Sequence, residues 1–304
     1  MRDPTQHDEL LARTLADAAG AGVAHQHRLS PIHEDFLPER QPFLIHLRSE
    51  PDAERVVAAA IQIATAEAFD SESPEFTGRT VCGFIVHDAH PTQRARALTQ
   101  AARIRKPDGR SHFLRFWDPR VIWHLPRCLP ATHWASLHAA LGQWMYFDPM
   151  RQLAALPASG DVPPSTSAAH ITNPLAIKDQ TWQRLERVGP VNKVLALSWD
   201  WGLQPTHSLA CQTDELVMRS IQLGFDSEQD VLVFAACGLT GHLQFDQHPQ
   251  IRAALQRAAS AGLSLQSALA PFDDNFWDRL RADTGWLNAL HAIPEHSEAK
   301  RAAS

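Results

Sequence analysis

Residues 113–122 read FLRFWDPRVI. Three charged side chains, Arg115, Asp118 and Arg120, stand among Phe113, Leu114, Phe116, Trp117, Val121 and Ile122, where a core strand tolerates charge only if each group finds a partner. Just upstream, RIRK and SHFLRFW alternate polar and apolar residues on either side of Pro107-Asp108-Gly109. That tripeptide is strong turn chemistry and predicts a β-hairpin. On the second strand Phe113, Arg115 and Trp117 would share one face, and Leu114, Phe116 and Asp118 the other. Pro119 ends the strand and suits the first turn of a helix, PRVIWHLPRCL, with Asp118 placed as its N-cap. A guanidinium from Arg115 or Arg120 held against that carboxylate would satisfy both charges at a strand-to-helix corner. The corner therefore has a structural role, and a partner contact there stays open.

Working outward, PFLIHL (residues 42–47) has the length of a short apolar strand. SEPDAERVVAAAIQIATAEAF follows with Pro51 near its start and acids in its first turn, which predicts a helix. Val57, Ile61, Ala64 and Ala68 fall on one stripe of it. TVCGFIVHD (residues 80–88) reads as a buried strand, QRARALTQAA and ATHWASLHAALGQ as helices, and WMYFDP as a closing strand. Residues 1–40 show no sustained period and read as a loosely ordered lead-in to an α/β lobe over 41–155. Residues 156–174, rich in Pro, Ser, Thr and Ala, read as a linker. From 175 to 290 strands become scarce: LAIKDQTWQRLERVG, TDELVMRSIQLG, SEQDVLVFAACGL and HPQIRAALQRAASAG all carry helical spacing, the third opening on a Ser227/Asp230 capping pattern. Residues 291–304 read as a flexible tail. The expected fold class is α+β, a mixed lobe with a small sheet and hairpin followed by a predominantly helical lobe.

With 304 residues, 44% hydrophobic and 20% charged, the chain can bury a substantial core and is long enough for two domains. The net charge of −6 gives no global attraction to nucleic acid or to anionic membranes. Its distribution is uneven. Between Arg94 and Arg120 eight basic residues face two acids, a local +6 that leaves −12 for the rest of the chain. Arg103, Arg105, Lys106 and Arg110 form the densest part of this patch, a candidate contact for an acidic partner. The four cysteines are scattered with no CxxC pair, which signals neither a disulfide framework nor a zinc site and fits a reducing cytoplasm. The polar amino terminus lacks the order of a signal peptide, and the apolar run Val231–Gly238 is far short of the ~20 residues that cross a bilayer. A cytoplasmic protein without membrane insertion is expected.

The sequence carries no GxSxG elbow, no phosphate-binding glycine loop and no HExxH. Its densest chelating group is His87, Asp88 and His90. On a continuing strand Asp88 and His90 would share a face and His87 would point away, so the three converge on a metal only if the backbone turns. A metal-dependent hydrolase using this cluster is one alternative. A nucleic-acid module built on the Arg94–Arg120 patch is another, because aromatic and basic residues interleave in RIRKPDGRSHFLRFW. Net negative charge and the lack of an RRM or KH signature weigh against the second. No catalytic constellation, cofactor or metal is expected.

The order VCGFIVHD, helix, RIRKPDGRSHFLRFWDPRVI resembles the hallmark of the domain-of-unknown-function 4123 family, the type VI secretion effector adaptors. PFLIHL is similar to that family's preceding strand, and Trp117 stands where the family usually has Tyr. MRSIQLGFDSEQDVLVFAACGLTGHLQFDQHPQI resembles its carboxy-terminal pattern, carried here by Gly224, Gly238, Phe245, Asp246 and Pro249. The family's usual first strand has no counterpart visible in residues 1–40. The resemblance implies a non-catalytic adaptor or chaperone in the bacterial cytoplasm. Its partners would be a cognate type VI secretion effector and the VgrG spike onto which that effector is loaded.

Overall fold

The computed structural model describes residues 13–14, 24–28, 42–69, 80–86, 90–157 and 175–282. The chain divides into two compact units, Met1–Val188 and Gly189–Ser304, and the fold is α+β, with every strand among the described residues in the first unit and helices dominating the second.

The first unit opens with strands β1 (Ala24–Arg28) and β2 (Phe43–Leu47), paired antiparallel with Ala24 opposite Leu47. Residues 24–28, AHQHR, thus supply a strand inside the stretch expected to be a lead-in. Its polar sequence hid it, because a β-ladder is held by backbone groups that every residue type carries. Helix α1 (Pro51–Phe69) buries Ala53, Val56 and Ile63 against Ile45, Leu47 and Val81. Ala64 is also buried, but Val57 and Ile61 are 37% and 39% exposed, which corrects the stripe expected from spacing. Both stripes have helical period, and in a helix rich in Ala, Val and Ile the period alone does not choose between adjacent apolar faces.

Strand β3 (Phe84–Val86), helix α2 (Pro91–Ala101), strands β4 (Arg103–Arg105) and β5 (Ser111–Phe113), and the short helices α3 (Pro119–Ile122) and α4 (Leu125–Cys128) follow. Helix α5 (Ala131–Leu141), strands β6 (Gln143–Phe147), β7 (Leu153–Ala155) and β8 (Leu175–Ala176), and helix α6 (Asp179–Glu186) complete the unit. Antiparallel β3, β6 and β7 form one three-stranded sheet. In the other, β4 lies between antiparallel β5 and parallel β8. Trp144 of β6 lies so close to Gly83 that a Cβ there would sit 2.4 Å from its Nε1 and 2.7 Å from the Met145 carbonyl; only glycine fits.

Because Leu175 and Ala176 pair with Ile104 and Arg105, the division between units falls at Val188/Gly189, later than the 156–174 segment read as a linker. A two-residue parallel strand leaves almost no periodic trace, and by contact α6 groups with the first unit.

The second unit is built from α7 (Val188–Ser198), α8 (His207–Gln222), α9 (Glu228–Thr240), α10 (Pro249–Ser260), α11 (Leu265–Leu269) and α12 (Asp274–Ala282). Phe225, Phe234, Phe245, Ile251, Leu255 and Leu265 lie at its centre, each at most 1% exposed. The Ser227 hydroxyl caps α9 by accepting from the Asp230 N–H at 3.1 Å and donates to Asp230 Oδ2 at 2.7 Å. The other Asp230 oxygen accepts from the Leu265 N–H at 2.8 Å, so a single carboxylate ties the starts of α9 and α11 together. Among the described residues no helix is long and apolar enough to cross a membrane.

Candidate functional site

The hairpin turns where the sequence predicted. Gly109 adopts φ +84°, a conformation that favours glycine. Its N–H donates to the Lys106 carbonyl, and Asp108 Oδ1 accepts from the Arg110 N–H, each at 2.9 Å. The second strand is shorter than expected. It stops at Phe113, after which the Phe116 N–H donates to the Leu114 carbonyl and the Asp118 N–H to the Arg115 carbonyl. The coil replaces two-face alternation: Leu114, Phe116 and Trp117 are all buried, while Arg115 is exposed. Three large side chains enter the core in four residues, with Phe116 edge-on to both Trp117 and Trp144. The expected helix breaks into α3 and α4, since Pro126 at the start of α4 has no N–H to continue the ladder. His124, wholly buried at the break, accepts at Nδ1 from Arg127 Nε at 2.9 Å.

At the corner itself Asp118 is the N-cap of α3, with extended backbone (φ −71°, ψ 120°). Its Oδ1 accepts from the Arg120 N–H and from Arg120 Nε, both at 3.0 Å. Its Oδ2 accepts from Arg120 Nη2 at 2.8 Å and Arg115 Nη2 at 3.0 Å. Burial by itself would raise the Asp118 carboxyl, but the hydrogen bonds and charge of Arg120, with Arg115 behind them, hold it below the usual carboxylate range. Burial likewise works against the Arg120 charge, and Asp118 more than compensates, leaving that guanidinium more basic than usual. The two arginines differ: the Arg120 side chain is 20% exposed and bound as a fork, whereas Arg115 is 56% exposed and attached through one nitrogen. Pro119, buried, fixes the first turn of α3.

Beside the corner lies a small apolar hollow lined in part by Ala64, Val81, Cys82, Pro119, Tyr146 and Phe147. Burial pushes the Cys82 thiol up to about 12, helped by the carboxylates of Asp118 and Glu67. Burial also raises the Tyr146 phenol, with Asp148 adding to it. Neither group is ionised near neutral pH, and a thiol rather than a thiolate is a poor nucleophile. Glu67 was missed by sequence reasoning. One of its oxygens accepts from the Thr80 N–H at 2.9 Å and the other is buried without a partner. A lone Glu on a helix gives no signal of this contact.

The basic patch separates into different roles. Arg94 leaves it: its guanidinium donates to the Ala140 carbonyl and caps the carboxy-terminal end of α5, and burial lowers its pKa. Arg103 is half-buried, and Arg105 is exposed on the same face of β4, opposite the buried Ile104. Lys106 places Nζ 4.0 Å above the Trp182 ring of α6, and His112 meets that ring edge-on at 5.2 Å. Arg110 is 85% exposed, with only a loose 3.8 Å approach to Asp108. Of the proposed metal cluster, His87 and Asp88 lie outside the described residues, and His90 accepts from the Thr92 N–H as the cap of α2. Among the described residues no group of three chelating side chains could hold a metal ion.

In the second unit the quoted motif residues hold one joint. Gly224, with φ +88°, ends α8, and the Phe225 N–H returns to the Ser220 carbonyl at 3.0 Å. Gly238 lets α9 approach α8, where a Cβ would lie 2.2 Å from Leu216 Cδ2. Phe245 is fully buried against Phe234, and Pro249 begins α10. Asp246 accepts from Arg219 Nη1 at 2.6 Å, and Arg219 Nη2 donates to the Leu243 carbonyl. Arg219 was not singled out, because 27 residues separate it from Asp246.

Residues 29–136 match the family model described as a domain of unknown function, DUF4123. The matched DUF4123 segment includes the hairpin and the whole FLRFWDPRVI corner, and it stops short of Gly224, Gly238, Phe245, Asp246 and Pro249. No curated protein and no solved structure matches the chain.

Proposed function

We propose that this protein is a non-catalytic adaptor, a chaperone that binds a type VI secretion effector in the bacterial cytoplasm and promotes its loading onto the VgrG spike. The observation that carries the proposal is the fall of the DUF4123 match on the segment with the adaptor-like hallmark. Its geometry agrees. The charged groups of FLRFWDPRVI are turned on one another, Asp118 with Arg120 and Arg115, and the nearby thiol and phenol are held neutral. Such a corner stiffens a surface; it does not move protons or expose a nucleophile.

The test is purification of the tagged protein from the cytoplasm of cells that express the secretion apparatus, with mass spectrometry of what accompanies it. Recovery of a spike protein together with one large partner is the expected result. Recovery of neither would refute the adaptor proposal.

A further inference from the structure

Four arginines lie along the hairpin and the short segment that leads from it to the corner. Arg110 flanks the turn, Arg105 stands opposite Ser111, Arg103 opposite Phe113, and Arg115 follows two residues later. Arg105, Arg110 and Arg115 are exposed. The ion pairs formed by Arg110 and Arg115 are partial. Asp108 is the only acid between Arg103 and Arg115, where it serves its own turn and approaches Arg110 only at 3.8 Å. Asp118 already takes three hydrogen bonds from Arg120, and Arg115 is held by one nitrogen while its side chain stays 56% exposed. A guanidinium oriented in this way has lost part of its freedom in advance and offers paired donors to a carboxylate.

We infer that Arg105, Arg110 and Arg115 form a docking strip for an extended acidic segment of a partner protein, and that Asp118 and Arg120 serve to aim Arg115. This rests on the adaptor reading and assigns the client's contact to a stretch of glutamates or aspartates. Strand residues advance about 3.4 Å each, so the strip suits a few carboxylates on one side of a short extended chain. A nucleic acid is the poorer fit. Outside residues 94–120 the chain carries −12, so its net charge offers a long polyanion no general attraction.

The experiment uses the full chain and a fluorescein-labelled decapeptide alternating glutamate and glycine, with its lysine counterpart and a ten-residue oligo-dT as comparators. The glutamate peptide should bind, the lysine peptide should not, and affinity should fall about tenfold between 50 and 200 mM salt. Arg105→Glu with Arg110→Glu should abolish binding. Arg115→Gln should weaken it about threefold or more with an unchanged melting temperature, since Arg120 still satisfies both Asp118 oxygens. Absence of glutamate-peptide binding, or equal binding by the variants, overturns the inference, and tighter binding of oligo-dT overturns the assigned occupant. Co-purification of an effector with wild-type protein is scored separately. If it succeeds while the peptide fails, the adaptor proposal stands and the acidic strip falls.

Discussion

Each unit buries an aspartate against an arginine, and the two carboxyls move in opposite directions. Asp118 sits below the usual carboxylate range and Asp246 above it, although the Arg219 nitrogen lies closer to Asp246, at 2.6 Å, than the Arg120 nitrogen does to Asp118, at 2.8 Å. Burial is the largest influence on both. The difference is the number of donors. Asp118 accepts four hydrogen bonds from two guanidinium groups and a backbone N–H. Arg219 divides itself between Asp246 and the Leu243 carbonyl and leaves its own Nε buried without an acceptor. An ion pair in a buried place is stabilised by saturating the carboxylate, not by proximity alone.

The hardest test of that contrast is Arg120→Ala. It strips Asp118 of two side-chain bonds and leaves a buried carboxylate, at a cost of about 3–5 kcal/mol. Hydrogen exchange across residues 119–128 should accelerate accordingly, and unchanged protection would show that the corner is not a lock. Arg219→Ala should cost less, about 1–3 kcal/mol, because it takes one hydrogen bond from Asp246 where Arg120→Ala takes two from Asp118. Equal losses in the two units, each followed through its own peptides, would erase the distinction.

A pair of isosteric changes sharpens it. Asp118→Asn removes the charge that two guanidinium groups share and should destabilise the first unit by about 1.5–3 kcal/mol at neutral pH. Asp246→Asn should stay within about 1 kcal/mol of wild type, as the folded state already disfavours that charge. pH separates the two sites by sign. The stabilisation at Asp118 is present above the unfolded carboxylate range and is lost as pH falls through its depressed folded pKa. The raised Asp246 pKa means that the folded state holds its proton more tightly, so this site adds stability as pH falls and loses it as pH rises through the folded value. In urea melts that follow each unit, the deficit of Asp246→Asn relative to wild type should therefore grow as pH falls from 7 to 4, whereas the deficit of Asp118→Asn should shrink as pH falls below the unfolded carboxylate range; the same sign at both sites would contradict the assignment. The smallest effect expected is on stability in Arg115→Gln, below about 1 kcal/mol for a pair more than half exposed on one side.

Much of this was legible in the residues. Pro107-Asp108-Gly109 fixed a turn, Asp118-Pro119 a helix start, and Ser227 with Asp230 another, because these residue types act on backbone groups one to three positions away. Gly224 and Pro249 also mark the helix ends that they occupy. What failed had to do with choices between equivalent local patterns. Val57 and Ile61 are as periodic as Ala53, Val56 and Ile63, and AHQHR carries no alternation to betray β1.

Sequence alone determined the turns, the caps, the mixed order of elements in the first unit and the helical content of the second, since all of these follow from short-range sterics and hydrogen bonding. Only tertiary structure decided that Arg94 caps α5, that Leu175–Ala176 returns to β4, that Lys106 rests on Trp182, and that Asp118 and Asp246 differ in charge preference. Each of those depends on how many groups from distant segments crowd one atom, and residue spacing along a chain does not encode that number.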